Sequence, residues 1–229
     1  MMAGVDVEQE EVPLAGGRVL RGVVRVGRTV RRPMPADAEY VHGLLAHLER
    51  CGFEGAPRFL GVDARGREVL SFIEGTTLPH NGFRLSREAV AVGARLVRRV
   101  HDLTAGSEFA AGSEVACHLN LSQPNFVFRE TVPIAIIDWD VTRPGSRVSN
   151  FADFLWAFVH PGLYDDDEAA EMLRVAADAY GWTGGGLVDA MLTTVRAFVE
   201  LNPEFRDWGI PELEHLERNA ALFRARLDE

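Results

Sequence analysis

The stretch from Val115 to Asp140, VACHLNLSQPNFVFRETVPIAIIDWD, carries more information about the fold than the rest of the sequence. His118 is followed two residues later by Asn120 and seven residues later by Asn125. An apolar segment with a central turn then leads to the tetrapeptide I-D-W-D. This pattern predicts a β-hairpin. A hairpin of this length would bring Asn125 and the first aspartate of I-D-W-D to the same end.

These residues resemble the catalytic and metal-binding segment of the aminoglycoside phosphotransferase and choline kinase-like families. Those families carry H-x-D-x-x-x-x-N, then a hairpin, and then I-D-[WF]-[DE]. The resemblance implies an α+β, two-lobed protein-kinase-like fold, with a small β-rich N-terminal lobe and a larger helical C-terminal lobe. It also implies transfer of the γ-phosphate of ATP or GTP, bound with Mg²⁺, to a hydroxyl of a small molecule or peptide.

One motif position departs from the family, because Asn120 stands where the family has its catalytic aspartate. An amide cannot accept the proton of an acceptor hydroxyl, although it can orient the hydroxyl through a hydrogen bond. General base catalysis contributes about 10²–10⁴-fold to a rate, so we expect impaired catalysis by Asn120 and His118. The alternative is a pseudokinase that binds a nucleotide, a ligand or a partner protein. Taken alone, the loop also fits an ordinary turn between a helix and a hairpin.

The resemblance implies that Asn125 and Asp138 are the ligands of the magnesium ion. Their carbonyl and carboxylate oxygens are the hard ligands that Mg²⁺ prefers, with phosphates and water completing the shell. For Asp138 alone, a turn at the end of a strand is the alternative interpretation.

The phosphate site differs from the family because all 24 basic residues of the chain are arginines. Arg32 stands where kinase-like folds use a lysine to hold the α- and β-phosphates. Its partner on the following helix would be Glu39, with Glu49 as the alternative. Phe72 and Ile73 resemble the hinge that meets adenine through its backbone, and a lobe linker without a ligand fits them equally.

A further family aspartate, which braces the catalytic loop, is replaced by Asn150. Asp153 lies one helical turn later and is either a substitute for that aspartate or a surface residue. Gly16, Gly17 and Gly22 fit either the remnant of a glycine-rich loop or a plain hairpin turn.

Apolar spacing and turn residues predict the organisation of the chain. A flexible tail is expected at residues 1–11 and a β-β-α-β-β N-terminal lobe at 12–75, with its helix at 35–51. The helical C-terminal lobe is expected at 76–229 and contains the catalytic-type loop 117–140. Its predicted helices lie at 86–103, 149–159, 166–180, 186–199 and 210–227.

Composition excludes several classes of protein. The net charge of −10 argues against nucleic acid as a partner, since phosphate backbones require a basic surface. No apolar run reaches the length of a membrane span, and the acidic N-terminus is unlike a signal peptide. We therefore expect a cytoplasmic protein without a membrane association. Two cysteines in separate segments, Cys51 and Cys117, predict neither a disulfide nor a metal site.

Overall fold

A computed structural model describes residues 10–14, 22–79 and 82–228. Residues 1–9 of the expected tail lie outside the described residues, as do Gly16 and Gly17. Glu11, at the end of the expected tail, already belongs to the first strand.

The N-terminal part is an antiparallel sheet in which the strands run in the order β1-β2-β3-β5-β4. β-Branched residues around the Gly27 turn form its central hairpin, as the sequence predicts. The strands are β1 (Glu11–Pro13), β2 (Val24–Val26), β3 (Thr29–Arg32), β4 (Phe59–Val62) and β5 (Glu68–Ser71).

Helix α1 (Ala38–Arg50) lies between β3 and β4 in the chain. Asp37 caps its N-terminus by accepting a hydrogen bond from the backbone N–H of Tyr40. Its buried residues have the spacing of one helix face, and they are Val41, Leu44, Leu45 and Leu48. The helix therefore turns one apolar stripe to the core.

The C-terminal part is mainly helical, and its core is continuous with the residues buried under α1. Helix α2 is capped at its N-terminus by Ser86. The helices are α2 (Arg87–Thr104), α3 (Arg147–Phe154), α4 (Asp166–Tyr180), α5 (Leu187–Leu201) and α6 (Arg206–Asp228). This division into a sheet part and a helical part confirms the predicted fold class.

Short strands connect the linker between the lobes to the motif segment. Strand β8 (Phe126–Arg129) pairs with β9 (Val132–Ile136) to form the predicted hairpin. Strand β6 (Thr76–Thr77) pairs with the outer edge of β8. Strand β7 (Val115–Cys117) pairs with β10 (Arg143–Gly145), so the segments before and after the motif are joined.

The predicted helix at 149–159 is divided in the structure. α3 ends at Phe154 and continues as a π-helix over Leu155–Val159. His160 follows in the left-handed conformation, with φ of 57°. Single-turn π-helices inside or after α-helices are rare and frequently occur near functional sites.

None of the helices in the described ranges is both long enough and apolar enough to cross a lipid bilayer.

Candidate nucleotide and metal site

The β8–β9 hairpin brings Asn125 and Asp138 together. Phe126 and Ile136 are partners in the hairpin register. Beyond them, the backbone N–H of Ile137 donates to the carbonyl oxygen of Asn125 at 2.8 Å. Asp138 directly follows Ile137, so both predicted metal ligands lie at the open end of one hairpin.

The two side chains present oxygen atoms at this end. Asn125 is 8% exposed, and its Nδ2 donates to the carbonyl oxygen of Asn120 at 2.9 Å. With the amide nitrogen used in this way, Oδ1 is the atom that can meet a cation. Asp138 has φ of 65°, a left-handed conformation that costs a non-glycine residue of order 1–3 kcal/mol and clusters at functional sites.

Arg32 contacts three carboxylates, one through each guanidinium nitrogen. Nε donates to Glu68 Oε1, Nη1 to Asp138 Oδ1 at 2.8 Å, and Nη2 to Asp140 Oδ1. Arg32 is 7% exposed and its pair with Glu68 is buried, whereas the Asp138 side chain is 43% exposed. The arginine therefore joins the N-terminal sheet to the I-D-W-D segment, at the position predicted for phosphate binding.

The partner of Arg32 is not the helix glutamate that the sequence suggests. Glu39 is exposed and lines a shallow surface pocket beside Phe109, and Glu49 pairs with Arg58 at 3.6 Å. The pairing of Arg32 with Glu39 or Glu49 was a wrong prediction. Glu68 takes this role because it lies directly opposite Arg32 in the β3–β5 register.

Asn120 lies on the surface of the loop. Its Oδ1 accepts a hydrogen bond from Ser122 Oγ at 2.9 Å, which fixes the orientation of the amide. The side chain has no group that can accept a proton at neutral pH.

His118 lies beneath the loop and is 2% exposed. Its Nε2–H donates to the carbonyl oxygen of Ile137 at 3.0 Å, and its ring lies edge-on to Trp139. Burial lowers the pKa of His118, so the imidazole is neutral. This geometry supports a positioning role next to Asp138, whereas the catalytic role predicted for His118 stays a prediction.

Both alternatives for the brace contact the loop. Asn150 Oδ1 accepts from the N–H of His118 at 3.2 Å, and Asn150 Nδ2 donates to the carbonyl oxygen of His118 at 3.1 Å. Asp153 Oδ2 accepts from the N–H of Leu121 at 2.9 Å. Burial raises the pKa of the Asp153 carboxyl to about 6, and the bond from Leu121 opposes this only in part.

A buried chain of hydrogen bonds supports Asn150 from behind. His101 Nε2 donates to Asn150 Oδ1 at 2.9 Å, and Tyr180 Oη donates to His101 Nδ1 at 2.7 Å. Burial lowers the pKa of His101 to about 4, which keeps it neutral. Sequence reasoning missed His101 and Tyr180, since their partners are 49 and 79 residues away along the chain.

Gln123 is a buried residue of the loop whose contacts sequence reasoning missed. It is 2% exposed, and its Nε2 donates to the carbonyl oxygens of Phe83 and Phe158 at 2.8 and 2.9 Å. Its Oε1 accepts from the N–H of Phe83 at 2.8 Å. One amide therefore joins the catalytic-type loop to the segment between the lobes and to the end of the π-helix.

The predicted hinge residues follow β5 and are half-buried. The N–H of Phe72 donates to the carbonyl oxygen of Arg28 at 2.9 Å, so this donor is not available to adenine. The guanidinium of Arg25 covers the Phe72 ring at 3.8 Å from its centroid. Ile73 remains the candidate for a backbone contact with a base.

The donor set suits magnesium held jointly with phosphates. Asp138 Oδ1 pairs with Arg32, and the Asp138 side chain is 43% exposed. Within residues 10–14, 22–79 and 82–228, no group of three or more His, Cys, Asp or Glu side chains could hold a metal alone. Two protein oxygens, from Asn125 and Asp138, match a magnesium ion that takes its other ligands from phosphates and water.

No protein-family model matches the chain. The trifolitoxin immunity protein of Rhizobium leguminosarum bv. trifolii is 34% identical over 214 residues, and the match covers 80% of both chains. An aminoglycoside phosphotransferase of Streptomyces rimosus, solved with ADP and streptomycin, is 18% identical with a TM-score of 0.58. That similarity covers 85% of this chain and 89% of the other.

A second solved structure, the choline kinase of Cryptosporidium parvum, is 10% identical with a TM-score of 0.60, covering 97% of this chain and 92% of the other. At these identities the solved structures establish the fold, and the immunity protein establishes the family. The chain belongs to the family of the trifolitoxin immunity protein, built on the protein-kinase-like fold of aminoglycoside phosphotransferases and choline kinases.

Proposed function

We propose that the protein binds ATP or GTP with Mg²⁺ and transfers the γ-phosphate slowly to a hydroxyl of a small molecule or peptide. The meeting of Asn125 and Asp138 at the end of one hairpin carries this proposal. Arg32 would face the phosphates, and Asn125 with Asp138 would hold the metal ion, which neutralises phosphate charge when bound.

The expected slowness follows chiefly from Asn120. Asn120 can accept a hydrogen bond from the acceptor hydroxyl and orient it, yet the proton must leave to water or to phosphate. Loss of a general base lowers rates by about 10²–10⁴-fold. Asn150 and Asp153 brace the loop, so a disordered loop is not the reason.

A binding protein without turnover is the second candidate. The pairing of Arg32 with Asp138 favours it, because a metal–nucleotide complex has to compete with this ion pair for the carboxylate. The relative's printed name, trifolitoxin immunity protein, links that protein to a toxin. On this hypothesis the chain would neutralise a toxin, or bind a protein partner, in the cytoplasm without modifying it.

Thermal unfolding with ATP or GTP, each with and without Mg²⁺, tests the nucleotide site. We expect a Mg²⁺-dependent rise in melting temperature, because a ligand that binds only the native state stabilises it by mass action. Asp138→Asn should abolish the rise. Asp189→Asn, which changes an exposed carboxylate paired with Arg224, is the matched control and should keep it. No rise with either nucleotide would overturn the proposal.

A further inference from the structure

Glu68 is a carboxylate with no exposed surface, placed at the start of β5, between β3 and β4 of the N-terminal sheet. It lies opposite Arg32 in the β3–β5 register, and its Oε1 accepts from Arg32 Nε. A buried charge is costly unless it is paired and fully hydrogen-bonded. Its position beside the candidate phosphate-binding residue therefore requires an explanation.

The second oxygen of Glu68 is also used. Glu68 Oε2 lies 2.8 Å from His42 Nε2, which donates to it from helix α1. The His42 ring stacks on Phe59 of β4, with the centroids 3.6 Å apart and the planes 12° apart. Arg32 of β3 and His42 of α1 therefore each hold one oxygen of the Glu68 carboxylate.

This arrangement sets the direction of the arginine. With Nε fixed by Glu68, the planar guanidinium has to turn Nη1 and Nη2 towards Asp138 and Asp140. Nη1 and Nη2 are the nitrogens that could exchange a carboxylate acceptor for a phosphate oxygen. The bond to Glu68 lies on the far side of the guanidinium and need not break when they do.

We propose that Glu68 and His42 are positioning residues that orient Arg32 for the triphosphate, a task that kinases give to a helix glutamate. Helix α1 then contributes to the phosphate site through the imidazole of His42 and the carboxylate of Glu68. This inference rests on the proposed nucleotide site and deepens it.

Calorimetric titration of the full chain with Mg²⁺·ATP and with adenosine tests the inference. Adenosine lacks the phosphates that Arg32 would meet, so a positioning role affects ATP alone. For Glu68→Gln we expect roughly tenfold weaker binding of ATP, as one charged hydrogen bond would give, with adenosine affinity unchanged. His42→Gln should act in the same direction with a smaller loss.

Glu49→Gln is the matched control, since Glu49 is an exposed carboxylate on α1 that pairs with Arg58. It should leave both affinities unchanged. Should Glu68→Gln fail to fold, His42→Gln carries the same test, because it retains both charged partners of the Arg32–Glu68 pair.

Three outcomes would overturn the inference, and they are distinguishable. Equal losses for ATP and adenosine would show that Glu68 only supports the fold. If Glu68→Gln and His42→Gln bind ATP as tightly as the wild type does, Glu68 and His42 have no positioning role, while the proposed function stands. No binding of ATP by the wild type would remove the proposed function together with the inference.

Discussion

Asn150 binds both backbone polar groups of His118, accepting from its N–H at 3.2 Å and donating to its carbonyl oxygen at 3.1 Å. A carboxylate could make the first bond but not the second. The same Oδ1 also accepts from neutral His101. The asparagine is therefore fitted to an uncharged network, and its presence in place of the family aspartate does not indicate a loss of the brace.

Asn150→Asp should destabilise the protein at pH 7. The new carboxylate would face the carbonyl oxygen of His118 in a site that is 2% exposed. Burying a charge against an acceptor should cost roughly 2–4 kcal/mol in the free energy of unfolding. Urea denaturation measures the change. Asn202→Asp, at a less buried amide at the end of α5, is the control, and an equal effect there would contradict the explanation.

Asp153→Asn should stabilise the protein at neutral pH. Burial raises the pKa of this carboxyl from 3.8 to about 6, so the native state binds the proton more tightly than the unfolded chain does. The protonated carboxyl makes its full contribution to the free energy of unfolding below pH 4, and this contribution is lost as the pH rises to about 6. At pH 7 the amide should add roughly 1–3 kcal/mol to the free energy of unfolding, and at pH 4 almost nothing.

His101 has the opposite pH dependence and provides a second check on Asp153. Its pKa falls from 6.5 to about 4, so stability falls as the pH drops through that window. The two groups oppose each other in the wild type. Removing Asp153 should therefore make stability rise more steeply between pH 4 and 6. Asp178→Asn changes an exposed carboxylate and should leave the pH dependence of stability unchanged. If the stability of Asp153→Asn does not rise between pH 4 and 6, the pKa shifts of Asp153 and His101 do not set this dependence.

Gln123→Leu should disconnect the loop from the segment between the lobes. It removes one buried and two partly buried hydrogen bonds, and it leaves the N–H and C=O of Phe83 and the C=O of Phe158 without these partners. Each bond contributes about 1 kcal/mol, and an unpaired buried group costs more, so we expect a loss of roughly 2–4 kcal/mol. Hydrogen exchange at the Phe83 amide should accelerate. Unchanged protection at Phe83 would show that Gln123 is dispensable.

Local sequence patterns were enough to predict the motif hairpin and most of the helices, although not the π-helix that follows α3. Helix α4 has the predicted bounds, Asp166–Tyr180, because Asp165 caps it and Gly181 ends it in the left-handed conformation. The hairpin prediction was confirmed for the same reason, since turn and strand signals lie within a few residues of each other.

Pairs that depend on strand register were not predictable. Arg32 meets Glu68 only because β3 and β5 pair with these residues opposite each other, 36 positions apart in the sequence. A one-residue shift would turn the glutamate to the other face of the sheet. The sequence showed a strand at Glu68 and a helix at His42, but it did not show that they meet.

Asn120→Asp should raise phosphate transfer if the site binds nucleotide. An aspartate oxygen can still accept from Ser122 Oγ, and the position is exposed, so the loop should keep its shape. Hydrolysis of ATP uses water as the acceptor and can be measured without knowing the natural substrate. We expect an increase of about 10²-fold, the low end of what a general base contributes. Adding Asp138→Asn should abolish the increase. An unchanged rate in an Asn120→Asp protein that binds Mg²⁺·ATP would favour the binding protein over the slow enzyme.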